Sequence, residues 1–570
     1  MRANLSRLAP VVAFPVLLTL AAWARADSPT ARKGETNRVV EIALDAGHPI
    51  ADPFRSVEVD ATFTTPSGKS IRIPGFWAGG NAWKIRYASP EVGVHRFVTS
   101  CNKTGEVGLH EVKGEVEIVP GAGTNSLYRH GPLRVAADRR HLEQADGTPF
   151  LWLGDTWWMG LCDRLRFPDE FRTLAADRHA KGFNVVQIVA GLYPDMPAFD
   201  PRGRNEAGFP WAEKYTTIRP EYFDRADARL NELVDHELLP CVVMAWGYHL
   251  PWTGIDAMKR HVRYVIARYG ALPVVWCMAG EVNLPYYLEP GFPKGGEKQT
   301  KDWEEVIRYA RSINGLGRLM TVHPTGIEPL SGRLLYPDQG LFDFDMLQTG
   351  HGQREVLAPT IHALRASLEA RPIMPVVNGE VAYEALLGTI PAEIPRMMFW
   401  SCVLSGAAGH TYGANGIWQL NRRDQPYGKS PHGGNYGLIP WDEAMNLPGS
   451  KQIGQGKQFL ERYPWPRFEP HPEWATWAGS ENHLPAEEPY TAGIPGDVRI
   501  TYVPLARAVR LTHLAPGGRF TRSVFDPVQG TTIDGPPVQA DAAGAAQVEP
   551  PAGTKGDWVL VVKPEAATPR

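Results

Sequence analysis

PVVWCMAGE, from Pro273 to Glu281, carries no charge until its last residue, and PIMPVVNGE, from Pro372 to Glu380, repeats the plan. Runs this short, rich in Val and closed by Gly-Glu, read as buried strands rather than helices. Six further runs share the character: FLWLG from Phe150, NVVQIVAG from Asn184, LPCVVMAW from Leu239, LMTVHPT from Leu319, FDMLQTG from Phe344 and GAAGHTYG from Gly406. Longer helical stretches such as PDEFRTLAADRHAKG (168–182) and DRADARLNELVDHE (224–237) separate them. Strand-helix alternation implies parallel strands. Eight such units between residues 127 and 464 predict an α/β chain closed into a TIM-type (β/α)8 barrel. An open doubly wound sheet would need a Gly-rich phosphate turn after its first strand, and GDTWW at Gly154 is not one.

Outward from the barrel the pattern changes to short alternating runs. Over 35–120, RVVEIAL, SVEVDATF, WKIRYASP, VHRFVTS and GEVEIVP alternate with turn residues and predict a small antiparallel β-sandwich. PGAGTNS, from Pro120, reads as a linker. Over 467–570, VRITYVPL, AVRLTHLA and DWVLVVKP predict a second sandwich. Residues 1–26 combine Arg2 and Arg7, an apolar stretch from Val11 to Ala22 and the closing Ala24-Arg25-Ala26, the pattern of a secretory signal peptide. That stretch falls short of the ~20 residues of a membrane span, so a secreted or periplasmic protein without a membrane anchor is expected.

Of 570 residues, five are cysteines; they are widely scattered and first appear at Cys101, so no disulfide framework and no lipid-anchor cysteine is expected. A net charge of −3 with mixed signs makes nucleic acid an unsuitable partner. The 18 tryptophans and 19 tyrosines suit a carbohydrate partner, since aromatic faces stack on sugar rings, although cores use them too. Oligomeric state is left open.

In a barrel of this kind the active site is built where the strands end. The eight runs end on polar or aromatic residues: Asp155 and Trp157, Gln187, Trp246 and His249, Glu281 and Asn283, His323, Gln348 and His351, Glu380, and His410 and Tyr412, with Trp418 beyond. Glycosidic hydrolysis needs two carboxyl groups, one protonated to assist the leaving oxygen and one ionised. Glu281 and Glu380, on strands four and seven, face one another across the opening. The expected carboxyl separation is ~5–5.5 Å, with the pKa raised on Glu281 alone. The other residues named are candidates for sugar contact. A helix-cap role is the structural alternative for either Glu, and Glu384 reads as a solvated or supporting carboxylate. The four histidines lack HExxH spacing, so no metal and no cofactor is assigned.

The placement of the two glutamates resembles the large clan of retaining barrel glycosidases, which implies Glu281 as acid/base and Glu380 as nucleophile. Many of that clan carry Asn before the acid/base, where this chain has Gly280. GDTWW, GFNVVQ, MAGEVN, QTGH, PVVNGEVAYE and GHTYGANGIWQ resemble, over about 128–464, the apiosidase-like barrel family, which implies action on plant- or algal-type polysaccharides or their oligosaccharides. Relatives place an aspartate where this chain has Glu281. WKIRYASPEVGVHRF resembles an Ig-like domain of unknown function, and AGIPGDVRITYVP a domain type labelled collagen-binding. Rival readings are a lyase or metal-dependent enzyme on the same fold, and a non-catalytic glycan- or matrix-binding surface protein.

Overall fold

The computed structural model describes residues 32–287, 296–428, 436–479 and 482–565; the expected signal segment lies outside them. Eight parallel strands form the barrel: β1 (Trp152–Thr156), β2 (Val185–Val189), β3 (Leu239–Val243), β4 (Val275–Cys277), β5 (Met320–Thr321), β6 (Asp345–Gln348), β7 (Val376–Glu380) and β8 (Gly409–Tyr412). Seven lie within the runs read from the sequence, and β1 overlaps FLWLG and continues two residues past it. All eight are buried on both faces, which is why they read as continuous apolar runs without alternation. The ladders run from β5 through β4, β3, β2, β1, β8 and β7 to β6. The seam between β5 and β6 is bridged by Asp343 N donating to Met320 O at 2.9 Å and Thr321 Oγ1 donating to Phe344 O at 2.9 Å.

The enclosing helices are α1 (Asp169–Ala180), α2 (Pro220–Asp235), α3 (Ile255–Tyr269), α4 (Gly296–Ile313), α5 (Leu357–Glu369), α6 (Glu393–Leu404) and α7 (Pro448–Leu460). Between β5 and β6 the described chain forms 3-10 turns at Arg333–Leu335 and Gln339–Leu341 in place of a helix. Pro324, Pro329, Pro337, Gly326, Gly332 and Gly340 in that segment remove helical hydrogen bonds or raise their entropic cost.

The N-terminal sandwich pairs a five-stranded with a three-stranded sheet. Its ladders are antiparallel except that Arg32–Glu35 runs parallel to Lys113–Val119. Ile42, Phe63, Trp83, Ile85, Tyr87 and Phe97 fill it, with Phe63 stacked on Tyr87 at 3.9 Å. Arg86 ties it to the barrel, pairing with Asp227 of α2 at 2.6 Å and donating to Arg268 O of α3 at 2.9 Å. The C-terminal region sets a six-stranded against a three-stranded sheet. The outer face of the larger sheet covers α6 and α7: Tyr502 stacks on Trp400 at 6.0 Å and Phe525 on Phe459 at 4.2 Å. All five cysteines are buried and free, as expected of core thiols.

Candidate active site

Glu281 lies just past β4 and Glu380 ends β7, and in both cases the preceding residue has no room for a side chain. A Cβ at Gly280 would meet the Trp246 ring at 2.2 Å, and one at Gly379 would meet Met346 Cγ at 2.4 Å. With Trp246 in place, position 280 cannot hold the Asn that many clan members have there. Glu281 itself sits at φ 44°, a left-handed conformation that costs a non-glycine residue on the order of 1 kcal/mol. That backbone carries its carboxyl back under the indole, where Trp246 Nε1 donates to Glu281 Oε2 at 3.2 Å.

Gln348, at the end of β6, joins the two acids. Its Nε2 donates to Glu281 Oε1 at 3.1 Å and to Glu380 Oε1 at 3.0 Å. The two N–H bonds of a planar amide diverge by about 120°, so acceptors at these distances stand about 5 Å apart. His351 Nε2 lies 2.9 Å from Glu380 Oε1, within hydrogen-bonding reach. His323 Nε2 lies 3.3 Å from Glu380 Oε2, at ion-pair distance but off the line of a hydrogen bond.

These surroundings push the two carboxyls in opposite directions. Burial, then the charge of Glu380, raise the pKa of Glu281 to about 8, against the opposing hydrogen bonds from Gln348 and Trp246. Glu281 keeps part of its surface open to the cavity, while protein atoms surround its carboxyl elsewhere. Burial also acts to raise Glu380, but the neighbouring His323 and His351 together overcome it, holding that carboxyl well below the usual range. At neutral pH one acid is protonated and the other ionised, the division of labour that paired-carboxyl chemistry needs.

The cavity above them has a volume of about 190 Å³. Trp158, Trp246 and Trp418 line it, along with Gln348 and His351. The structure adds Asp195, Leu284, Tyr287, Tyr383 and Tyr436, which reading strand ends could not supply. Asp195 and Tyr436 lie on long loops after β2 and β8. The Tyr287 hydroxyl donates to Asp195 Oδ1, and Asp195 occupies a left-handed φ of 55°. Leu284 and Tyr383 had nearby markers, three residues past Glu281 and Glu380 respectively.

Eight of the residues expected to contact sugar are not among those that line the cavity; one of them, His323, is fully buried and stands against Glu380 instead. Asp155 is fully buried and accepts from Arg178 Nε at 2.5 Å and from Trp157 Nε1 at 2.8 Å; Trp157 is equally buried. Both anchor β1 to α1. Gln187 spans the barrel interior, donating to Gly379 O at 3.1 Å and accepting from Thr411 Oγ1 at 3.2 Å. His410 is fully buried beside Phe399, and burial lowers its pKa to about 3. Tyr412 donates to Glu384 Oε2 at 2.5 Å. Glu384 is 2 % exposed and also accepts from Gly449 N at 3.0 Å, so it is a buried brace between β8 and α7 rather than a solvated acid. Asn283 accepts from Thr325 N at 2.9 Å, turned toward the loop after β5. His249 lies behind the wall, with Nε2 2.9 Å from Tyr193 O. Polar residues on these runs face the mouth, the barrel interior or the helix layer, and two-sided burial hides which.

A parallel barrel whose mouth holds two carboxyl groups bridged by one amide, one carboxyl favouring the protonated form and one the ionised form, has the arrangement that glycosidic hydrolysis requires. The chain belongs to the apiosidase-like family: residues 136–467 match its catalytic domain, and residues 35–102 match the domain of unknown function DUF5060. Among solved structures, one described as a glycoside hydrolase is 20% identical with a TM-score of 0.61, covering 77% of this chain and 98% of its own. A glycoside hydrolase family 5 protein from Bacteroides vulgatus ATCC 8482 is 21% identical with a TM-score of 0.64, covering 77% of this chain and 94% of its own. These likenesses establish a shared fold. No curated protein matches the chain.

Proposed function

We propose that the protein is a retaining glycosidase that removes a terminal sugar from plant- or algal-type oligosaccharides. The observation that carries this is the double hydrogen bond from Gln348 to both carboxyls. Sharing one amide nitrogen keeps the accepting oxygens close, which supports the short ~5–5.5 Å spacing of direct nucleophilic attack over the ~6.5–9.5 Å that leaves room for a water in inverting enzymes. Glu281 gives its proton to the glycosidic oxygen as the bond from that oxygen to the anomeric carbon breaks. Glu380 attacks the same carbon and forms a glycosyl ester. Loss of the Glu380 charge then lowers the pKa of Glu281, which takes a proton from water as the water attacks the anomeric carbon, breaking its bond to the Glu380 oxygen and freeing the carboxylate. A cavity of about 190 Å³ is well below the ~300–1,000 Å³ of pockets for drug-sized ligands, and suits a single sugar ring. Membership of the apiosidase-like family supports the plant-type substrate class.

The test is a screen of pectic, arabinan and algal oligosaccharides with wild type and Glu380→Ala, with the first-formed anomer read by proton NMR. Retention in wild type and none of the cleavage in the variant is expected. Equal cleavage by both proteins, or an inverted first product, overturns the proposal. We further propose that residues 1–26 direct export and are removed. Mass spectrometry of the protein recovered outside the cytoplasm would then give an N-terminus at Asp27; an intact Met1 there refutes it.

A further inference from the structure

On the far side of the wall formed by Tyr248, Tyr286 and Tyr287 lies a larger groove of about 1040 Å³, where the N-terminal sandwich meets the loops after β2, β3 and β4. Phe54 and Arg55 come from the sandwich; Tyr215, Trp252 and Tyr286 come from the barrel. The rings of Trp252 and Tyr286 meet edge to face at 4.7 Å, and both cover Tyr248 at 5.1 Å. Trp252, Tyr286 and Tyr215 are all partly exposed. A half-exposed aromatic cluster in a concave surface presents flat apolar faces that a folded core would otherwise cover.

Two further observations mark the groove as built for a ligand. Lys214 and Tyr215 are consecutive non-glycine residues at φ 56° and 54°, a backbone cost retained where it turns the Tyr215 ring into the groove. Behind that ring stands His249, whose side chain the catalytic cavity does not use. Burial lowers its pKa to about 4, so it is neutral. With Nε2–H donating to Tyr193 O at 2.9 Å, Nδ1 is left to accept from the Tyr215 hydroxyl at 3.4 Å. The tyrosine proton is thereby committed, which leaves its oxygen to accept. The rim carries Arg55, Arg260 and Lys298 against Asp256, Asp302 and Glu305, equal in number and opposite in sign. Lys298 and Arg55 are paired with Asp302 and Asp52. Such a rim supplies hydrogen-bonding groups with no net charge, and so selects against both polyanions and polycations.

We infer that this groove is a second glycan-binding site, which holds a neutral stretch of polysaccharide against the enzyme by stacking on Trp252, Tyr286 and Tyr215. The ligand class rests on the glycosidase reading; the site and its neutrality rest on the groove. It gives the N-terminal sandwich a function, since Phe54 and Arg55 complete one wall.

The test is native electrophoresis through gels containing arabinan, galactan, xyloglucan or anionic homogalacturonan, using full-length Glu380→Ala so that hydrolysis cannot interfere. At least one neutral polymer should retard it. Adding Trp252→Ala or Tyr286→Ala should weaken retardation about tenfold, and Trp252→Phe should restore most of it. Circular dichroism melts identify any variant that fails to fold, and the other variant then decides. The inference is overturned if no neutral polymer retards the protein, if retardation survives in both folded alanine variants, or if homogalacturonan is preferred. It is also overturned if sedimentation shows a dimer that Trp252→Ala dissolves, making the groove a self-association surface. Retardation by a neutral polymer with no cleavage by wild type would instead sink the glycosidase reading and leave the groove standing.

Discussion

Replacing Glu380 with Gln removes one negative charge from beside Glu281 while keeping an acceptor oxygen for Gln348 and His351. Two unit charges about 5 Å apart at an effective dielectric near 20 interact by about 3 kcal/mol, or about 2 pKa units. The sign is fixed: without the neighbouring charge, ionised Glu281 is less disfavoured and its pKa falls. Burial is the larger cause of the raised value and persists in the variant. The carboxyl should therefore drop from about 8 to roughly 6 and stop short of its ordinary value. Carbon-13 NMR of protein labelled at the glutamate carboxyl reads this directly, with the resonance assigned by its loss in Glu281→Gln. A titration midpoint in Glu380→Gln equal to or above the wild-type value would refute the electrostatic account of the pair, and with it the proton cycling drawn from it.

In wild type, kcat/KM should fall about tenfold per pH unit above about 8, as Glu281 loses its proton, and a flat alkaline limb contradicts its role as acid. Glu281→Gln should lose about 10²–10⁴-fold activity on substrates with poor leaving groups and far less on nitrophenyl glycosides; equal losses on both would argue against proton donation. The same variant should gain stability at high pH. The folded pKa of Glu281 lies above its unfolded value, so its contribution to stability declines as pH rises from about 4.5 to about 8. Denaturant unfolding at pH 9 should show Glu281→Gln more stable by roughly 2 kcal/mol after allowance for its partial exposure, and no difference at pH 4. Gln348→Met removes a hydrogen bond that lowers the Glu281 pKa, so the alkaline limb should move upward while kcat falls at least about tenfold; an unmoved limb means the bridge does not act on the acid. Asp155→Ala leaves Arg178 with Asp177 alone and Trp157 Nε1 without its acceptor, and should cost about 2–3 kcal/mol in urea unfolding with KM unchanged in the folded fraction; a raised KM at full stability would return Asp155 to the site.

Taken alone, the sequence determined the barrel, because a strand buried on both faces must be apolar along its whole length. PVVWCMAGE and PIMPVVNGE could be little else between helical stretches. It also singled out Glu281 and Glu380, since an acid directly after such a run must sit where the strand leaves the core. Gln348, His323, His351, Trp246 and Trp418 were named for the same reason, and the structure brings them to the two acids or into the cavity wall. What only the tertiary structure decided is which strand-end polar residues face inward. Asp155 lies near the end of β1 and Gln187 within β2, in runs like the one that Glu380 ends, yet Arg178 from α1 and Thr411 from β8 claim them. Asp195, Tyr287 and Tyr436 lie on loops whose paths follow no period, so nothing local marks them. The divergence of the two pKa values is likewise a property of distance and burial. Gly280 shows the same division: the residue type is written in the chain, but the reason for it is a Trp246 ring 34 positions away that packing lays across its Cα.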